Sequence, residues 1–439
     1  MPPIRKSIQS LRAELDSNLD PGNAIIDLAR VALSCANSNA SRNTYLWRDD
    51  AWTLFEAEQL ISNLDKTRKS CYERPLFGIP ISIKDCFDLA GVPTSCGTTF
   101  YQNLNGIRPC DSWLVAQLRT AGAIITGKTH LHPLAYGITG ENPEFGDCLQ
   151  PEDEGALTGG SSSGAAASVQ EGSAFAAIGT DTGGSVRVPA ALCGLAGYRA
   201  SLGRGDWRGG SHLAESFDTF GWLFRDLEDG PLLGSLFGPT EAIGLRMSNK
   251  VAVVHNSFLH DCEPEVLTSL RRCQTELQDL GLEAVTVEVN WWEESREVFA
   301  AIQASEAAQV HHGHFAEFES SIRQRLEWGA GLSDVELAQF RRRHADFQDR
   351  MDSLLAKYDF LLLPAAPVRR LAAGNDHSRT RTRLLRYTAP VSLAGMPAVT
   401  IPFLEDDRPA GGMQLVAARE DDARLLAVAA DIGARRRSR

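Results

Sequence analysis

Residues 157–190 read LTGGSSSGAAASVQEGSAFAAIGTDTGGSVRVPA. Two Gly–Gly–Ser clusters, Gly159–Ser161 and Gly183–Ser185, frame an Ala-rich apolar segment. The pattern predicts a loop over 159–164, a short helix over AAASVQEG whose N-terminus points back at the serines, and a buried strand over SAFAAIGTD. A second loop, TGGS, follows, and then a short helix over VPAALCG, with Pro189 near its start and Gly194 past its end.

The alternation continues outward. Upstream, LFGIPISIKDCFDLAG is opened by Gly78 and Pro80 and runs through apolar residues into Lys84 and Asp85, which predicts a buried strand ending near Lys84 and then a turn. DSWLVAQLRTAGAIITGKT predicts a helix over Ser112–Thr120, a stop at Gly122 and a strand over Ala123–Gly127, the helix–strand step of an α/β fold. Residues 7–35 and 49–65 carry apolar positions at helical spacing and read as amphipathic helices. Downstream, KVAVVHN, LEAVTVEV, YDFLLLPAAP and MPAVTIPF read as strands, PEVLTSLRRCQTELQDLG as a helix, and residues 297–357 as almost wholly helical. No internal repeat or low-complexity linker interrupts the chain, so it is not split into separate functional domains.

Composition narrows the function classes. The chain has 439 residues, 43% hydrophobic and 23% charged, with a net charge of −12. That balance suits a soluble globular protein and argues against a nucleic-acid binder. The basic runs RRRH (Arg341–His344) and ARRRSR (Ala434–Arg439) read as solvated faces or ends. Nine scattered cysteines, none in a CxxC pair, read as free thiols in a reducing compartment. With no apolar leader in MPPIRKSIQSLRAELDSNLD and no apolar run near the ~20 residues of a membrane span, a cytoplasmic protein is expected. VHHGH (His311, His312, His314) falls on a predicted helix without a shared face for ligands, so no metal site is expected there. NWWEE (Asn290–Glu294) reads as core or subunit packing.

The glycine–serine loops admit three chemistries. Gly159 and Gly164 have P-loop spacing, but Ala165 and Ala166 stand where the lysine and the magnesium-binding hydroxyl belong. Gly160–Gly164 spells G-x-S-x-G, but PEDEGALT ahead of it is polar and acidic rather than a buried strand, and no HGGG-type oxyanion motif accompanies it. The third is a serine nucleophile served by a lysine whose pKa burial has lowered. Lys84 ends an apolar strand where a solvated lysine is out of place; a stem snorkelling to water is the plainer alternative.

PLFGIPISIKDCFDLAGVPTSCGT, GGSSSG and GTDTGGSVRVPAALCG together resemble the amidase signature family, with Ser161 and Ser185 24 residues apart and Lys84 well upstream. GKTHLHPLAYGITGENPEFG (127–146), SFDTFGW (216–222), YDFLLLPAAP (358–367) and SLAGMPAVTIP (392–402) extend the likeness over about residues 70 to 430. GENxxxG and SFDTxGW also resemble segments of short indole-3-acetamide-hydrolase-like amidases within that family.

The resemblance implies one large α/β domain: a mixed twisted central sheet flanked by helices on both faces, with residues 1–70 as a helical segment packed on the amidase domain of 71–439. It implies a Ser–cisSer–Lys triad in which Ser185 is the nucleophile, Ser161, after a cis peptide bond from Gly160, is the bridge, and Lys84 is the base. Backbone N–H groups of Thr182, Gly183, Gly184 and Ser185 are the implied oxyanion hole, in a loop whose glycines let the backbone approach a substrate. Ser162 supports the network, Asp181 and Arg187 pair to fix the nucleophile loop, and Ala135, Tyr136 and Gly137 lie near the acyl pocket.

The sequence departs from the family at Cys86, where Asn is common, at Ser163, where many members have Gly, and over GYRASLGRGDWRGGSH (197–212). The activity implied is hydrolysis of a small-molecule amide through an acyl-serine, with no cofactor, no metal, no nucleic acid and no membrane, in a possible homodimer. Two rivals stand beside it. One is a glutamine-hydrolysing A-type subunit of a tRNA-dependent amidotransferase. The other is a non-catalytic binding protein on the same scaffold, against which the intact Lys84, Ser161 and Ser185 argue.

Overall fold

PISIK (80–84) and AAIGT (176–180) offer water almost no polar side chain on either face, so both become interior strands buried along their whole length. The computed structural model describes residues 6–18, 20–62, 73–238 and 248–438; Cys71 and the last three residues of the helix expected over 49–65 lie outside them. In chain order the strands are β1 (Tyr45–Trp47), β2 (Pro80–Lys84), β3 (Ile124–Thr129), β4 (Leu149–Gln150), β5 (Asp153–Leu157), β6 (Ala176–Thr180), β7 (Ala196–Arg199) and β8 (Phe220–Phe224). They continue as β9 (Lys250–Val254), β10 (Glu283–Val287), β11 (Phe360–Pro364), β12 (Leu371–Ala372), β13 (Ala398–Glu405) and β14 (Arg408–Val416).

Eleven strands form one sheet in the order β1-β3-β2-β6-β8-β7-β13-β14-β11-β9-β10, and β12-β5-β4 form a small second sheet. β2 runs parallel to both its neighbours, β3 and β6. From β6 across β8, β7, β13 and β14 to β11 the pairing is antiparallel, and it returns to parallel at β11–β9–β10. The result is a single α/β domain on a mixed sheet flanked by helices, with one continuous core reaching from Ile8 to Ile432. No helix among the described residues is long and apolar enough to cross a membrane.

Several elements differ from expectation for local reasons. The helix expected over 7–35 is two, Ile8–Ser17 and Pro21–Ser38: Asp20 caps the second by accepting from Asn23 N at 3.1 Å, and Pro21 starts it. The N-terminal segment is not purely helical, since β1 pairs with β3 and joins the main sheet. β3 runs past Gly127 to Thr129. Residues 297–357 break into Ser295–Val310, Ser320–Ala330 and Asp334–Leu355, the last opened by a Ser333–Glu336 capping box. PEDEGALT does contain a strand, β5, but it belongs to the small sheet with only Ala156 and Leu157 buried, so no central strand leads into the first serine cluster.

The helix Ser163–Glu171 is buried at every position, as its Ala-rich sequence requires, because only small side chains let a helix lie this close to other backbone. Gly164 shows the tightness: its N–H donates to His130 O at 2.9 Å, and a Cβ there would stand 2.0 Å from Thr44 O and 2.5 Å from His130 N. Backbone atoms cannot swing aside as a side-chain tip can. Gly164→Ala is therefore expected to cost at least about 1–3 kcal/mol of stability, read as a lower urea midpoint; an unchanged midpoint would contradict this packing.

Candidate active site

Three backbone segments meet at the C-terminal end of β2. The strand delivers Lys84, the loop before the helix Ser163–Glu171 delivers Ser161, and the loop after β6 delivers Ser185. Lys84 is wholly buried, with Nζ 2.8 Å from Ser161 Oγ and 2.7 Å from Thr180 Oγ1. Burial is the largest influence on it and lowers its pKa to about 8, against upward pulls from Cys86, Asp218 and Asp181. Its alternative, a snorkelling stem, does not fit a side chain with no access to water. The peptide bond Gly160–Ser161 is cis. Among the described residues no hydrogen bond joins the Ser161 and Ser185 hydroxyls; the two loops are tied by Ser162 N donating to Ser185 O at 3.2 Å.

Ser162 also pins its loop to β6. Its hydroxyl donates to Thr180 O at 3.2 Å and accepts from Thr180 N at 3.3 Å. A Cβ on Gly179 would sit 2.6 Å from that hydroxyl, so the contact requires glycine in the strand.

Asp181 organises the nucleophile loop. Its carboxylate accepts from Gly184 N at 2.8 Å, Val186 N at 3.1 Å and Arg187 N at 3.3 Å, and takes a forked pair from Arg187 Nη2 and Nε at 2.8 and 3.0 Å. Arg199 Nη1 adds a bond at 3.1 Å. Burial alone would raise this carboxyl; Arg187 and then Arg199 outweigh it and hold the group well below the usual carboxylate range. Arg187 in turn donates to Gln414 Oε1 at 2.8 Å, Ser392 Oγ at 2.8 Å and Thr388 O at 3.1 Å, anchoring the loop to elements two hundred residues away.

This wiring corrects one expected oxyanion donor. The Gly184 N–H is already given to Asp181, so Gly184 leaves the set. Its role is steric: φ is +119° and a Cβ would meet Thr388 at 2.7 Å. Among the described residues the N–H groups of Thr182, Gly183 and Ser185 have no partner and remain available. The Thr182 side chain donates to Asp218 at 2.6 Å, and Asp218 also accepts from His212 Nδ1 at 3.0 Å and from Leu213 N and Ala214 N at 2.9 and 3.1 Å. The divergent 197–212 loop thus reaches the nucleophile loop through His212, whose ring stacks on Trp207 at 4.4 Å.

Ala135, Tyr136 and Gly137 line the same cavity, about 20 Å³, as Gly183 and Ser185. Sequence reading missed its other walls, among them Gln303, Arg381 and Leu385. It also missed Thr180, Arg199, Asp218 and Gln414, single polar residues in ordinary strands and turns, marked only by being polar in apolar surroundings. His311 does not lie on the helix expected for it: the helix ends at Val310, and His311 pairs with the Tyr101 hydroxyl at 2.7 Å. No group of three metal-ligating side chains occurs among the described residues. Burial raises the thiols of Cys86, to about 12, and of Cys193, so both are packing residues by the site. Trp292 is buried and Trp291 packs on Phe347.

Asp181→Asn would leave the Arg187 and Arg199 guanidinium groups buried without their anion. A loss of about 3–5 kcal/mol in denaturation free energy is expected; a loss under about 1 kcal/mol would mean that the three charges do not organise the loop.

The Amidase family model matches residues 43–237 and 241–426. The chain is 31% identical over 441 residues, 93% of each protein, to the 2-amino-5-chloromuconic acid deaminase of Comamonas testosteroni. It is 29% identical over 403 residues to the A-type subunit of the glutamyl-tRNA(Gln) amidotransferase of Synechococcus sp. (strain RCC307), covering 81% of this chain and 83% of that one. A crystal structure of an amidase superposes with a TM-score of 0.87 at 29% identity, over 98% of this chain and 100% of that one.

Proposed function

This chain belongs to the amidase family and is a hydrolase of amide C–N bonds, and from that premise we propose that it works through an acyl-serine intermediate on Ser185 with Ser161 and Lys84 as its proton relay. The observation that carries the reading is the 2.8 Å contact between Lys84 Nζ and Ser161 Oγ, at a lysine that burial has brought to about 8. As an ammonium that lysine donates to Ser161; as a neutral amine it accepts from it.

Neutral Lys84 takes the Ser161 proton as Ser161 takes that of Ser185, whose Oγ attacks the amide carbon. Because no hydrogen bond holds the Ser185 hydroxyl among the described residues, turning it onto Ser161 breaks none. The carbonyl oxygen becomes an oxyanion facing the free N–H groups of Thr182, Gly183 and Ser185. As the oxyanion re-forms the carbonyl, the C–N bond breaks and the relay, run backwards, delivers the proton to the departing nitrogen. Ammonia or an amine leaves. Water then attacks the Ser185 ester with its proton taken by the same relay, and the carboxylic acid departs as Ser185 Oγ is reprotonated. Every proton is carried by a side chain, so the reading asks for no metal or cofactor.

A second reading comes from the amidotransferase relatives: a glutamine-hydrolysing subunit that hands its ammonia to a partner. Copurification of partner subunits with glutaminase activity would favour it over a free-standing amidase.

Ammonia release from indole-3-acetamide, phenylacetamide, benzamide, hexanamide, glutamine and biuret, run for the wild type and Ser185→Ala, tests the chemistry. Activity on at least one amide, lost by a factor of about 10³ or more in Ser185→Ala, is expected. Turnover that survives the substitution would sink the acyl-serine reading. The base must be neutral to act, so kcat/KM is expected to rise with pH and level off above about 8. A profile flat from pH 6 to 9 would remove Lys84 from the relay.

A further inference from the structure

Among the described residues Arg381 is a charge without an ion pair at the cavity that Ser185 lines, and Arg325 stands near it. Elsewhere in its interior the chain matches guanidinium groups to carboxylates, as Arg187 and Arg199 are matched to Asp181. Arg381 is different. It lines the cavity with Ser185 and Gly183, is only half-exposed, and among the described residues its side chain makes no hydrogen bond or ion pair. Arg325 stands nearby with neutral partners only: Nη1 donates to Tyr136 O at 2.6 Å, Nε donates to Ser321 O at 3.0 Å, and the guanidinium lies 4.1 Å over the Tyr136 ring. Burial works most against the charge of both; Arg381 works further against that of Arg325, which Tyr136 and Glu319 favour, whereas Arg381 has, among the described residues, no carboxylate beside it to do the same. The chain carries 56 acidic residues against 44 basic ones, yet among the described residues none forms an ion pair with either arginine. A sheltered guanidinium with a second cation beside it and no ion pair of its own is unfavourable, and Arg381 faces the cavity that Ser185 lines.

We propose that the amide cleaved at Ser185 carries a carboxylate, bound by Arg381 with Arg325 behind it; the inference rests on Ser185 being the nucleophile. A guanidinium offers a planar pair of donors that a carboxylate matches in both spacing and charge. The helix that carries Arg381 is fixed against the loop of Gly183 and Ser185. Arg381, Leu385 and Thr388 lie at i, i+4 and i+7 on one face of the helix Ser378–Leu393. Thr388 Oγ1 donates to Gly183 O, and a Cβ on Gly183 would touch Leu385 at 3.3 Å, so the lower part of that face rests on the nucleophile loop. Arg381 is one turn further on, about 6 Å along the axis. Half-amides of dicarboxylic acids, such as succinamate, carry a carboxylate of this kind.

The test uses the full-length protein and follows labelling of Ser185 by an uncharged fluorophosphonate, with succinamate, methyl succinamate or butanamide as competitor. The wild type is expected to be protected by succinamate at concentrations about 10–100-fold lower than by either neutral amide. Arg381→Gln should lose that preference and Arg381→Lys should recover part of it. Equal protection by charged and neutral amides in wild type that labels normally would overturn the carboxylate proposal and leave the nucleophile standing. So would a preference retained in Arg381→Gln. If Ser185 does not label at all, the acyl-serine reading fails and this inference with it. The wild-type comparison decides even if Arg381→Gln does not fold.

Discussion

The buried carboxylate of Asp181 is the interaction on which the site depends. A lone carboxylate in such surroundings would take up a proton; two guanidinium groups and three backbone N–H bonds keep this one ionised. In exchange it bends the chain from Gly184 to Arg187 around itself, which turns the Gly184 N–H inward and leaves those of Thr182, Gly183 and Ser185 free. Arg187 then passes the constraint outward to Thr388, Ser392 and Gln414, so the nucleophile loop is held by the helix Ser378–Leu393 and by β14. A loop of glycines would otherwise be the most mobile part of the chain. The ion cluster makes it the most constrained, and preorganised donors are what oxyanion stabilisation needs.

The lysine side of the site follows the opposite logic. Lys84 is given hydroxyl partners, Ser161 and Thr180, and, among the described residues, no carboxylate within hydrogen-bond reach. Its neighbour Lys128, by contrast, is paired with Asp85 at 2.5 Å and further held by Pro93 O and Thr94 Oγ1. The same residue type at the same depth thus serves two ends. The Lys128 pair ties β3 to the loop after β2, whereas burial lowers the pKa of Lys84 to about 8. The contrast between them lies in partners rather than burial, since both are fully buried.

Much of this architecture was legible because its signals are local. Apolar runs mark β2, β6, β9, β11 and β13, and glycine–serine punctuation marks the two catalytic loops. What escapes is what local pattern does not encode. β7 and β8 are short and flank the irregular 200–219 segment, and β14 contains Gly411 and Gly412, which weaken a strand pattern. The helix Ser378–Leu393, which contains Pro390, is not among the elements expected from sequence, although Arg381 and Leu385 on it line the cavity with Ser185. Gly184 reads as an oxyanion donor, wrongly, because sequence shows that an N–H exists and not where it points.

By itself the sequence determined the α/β alternation and the family, and it singled out Lys84, Ser161 and Ser185, which the structure brings to one place. These rest on residue types at fixed spacings along single loops and strands, which chain order preserves. The tertiary structure decided which N–H groups among the described residues stay free, which of two buried lysines is given a carboxylate, and that Arg381 lines a cavity with Ser185 without an ion pair among those residues. Those outcomes depend on contacts between segments as much as two hundred residues apart, such as Arg187 with Gln414, and burial and pairing at such contacts lower the pKa values of both Lys84 and Asp181.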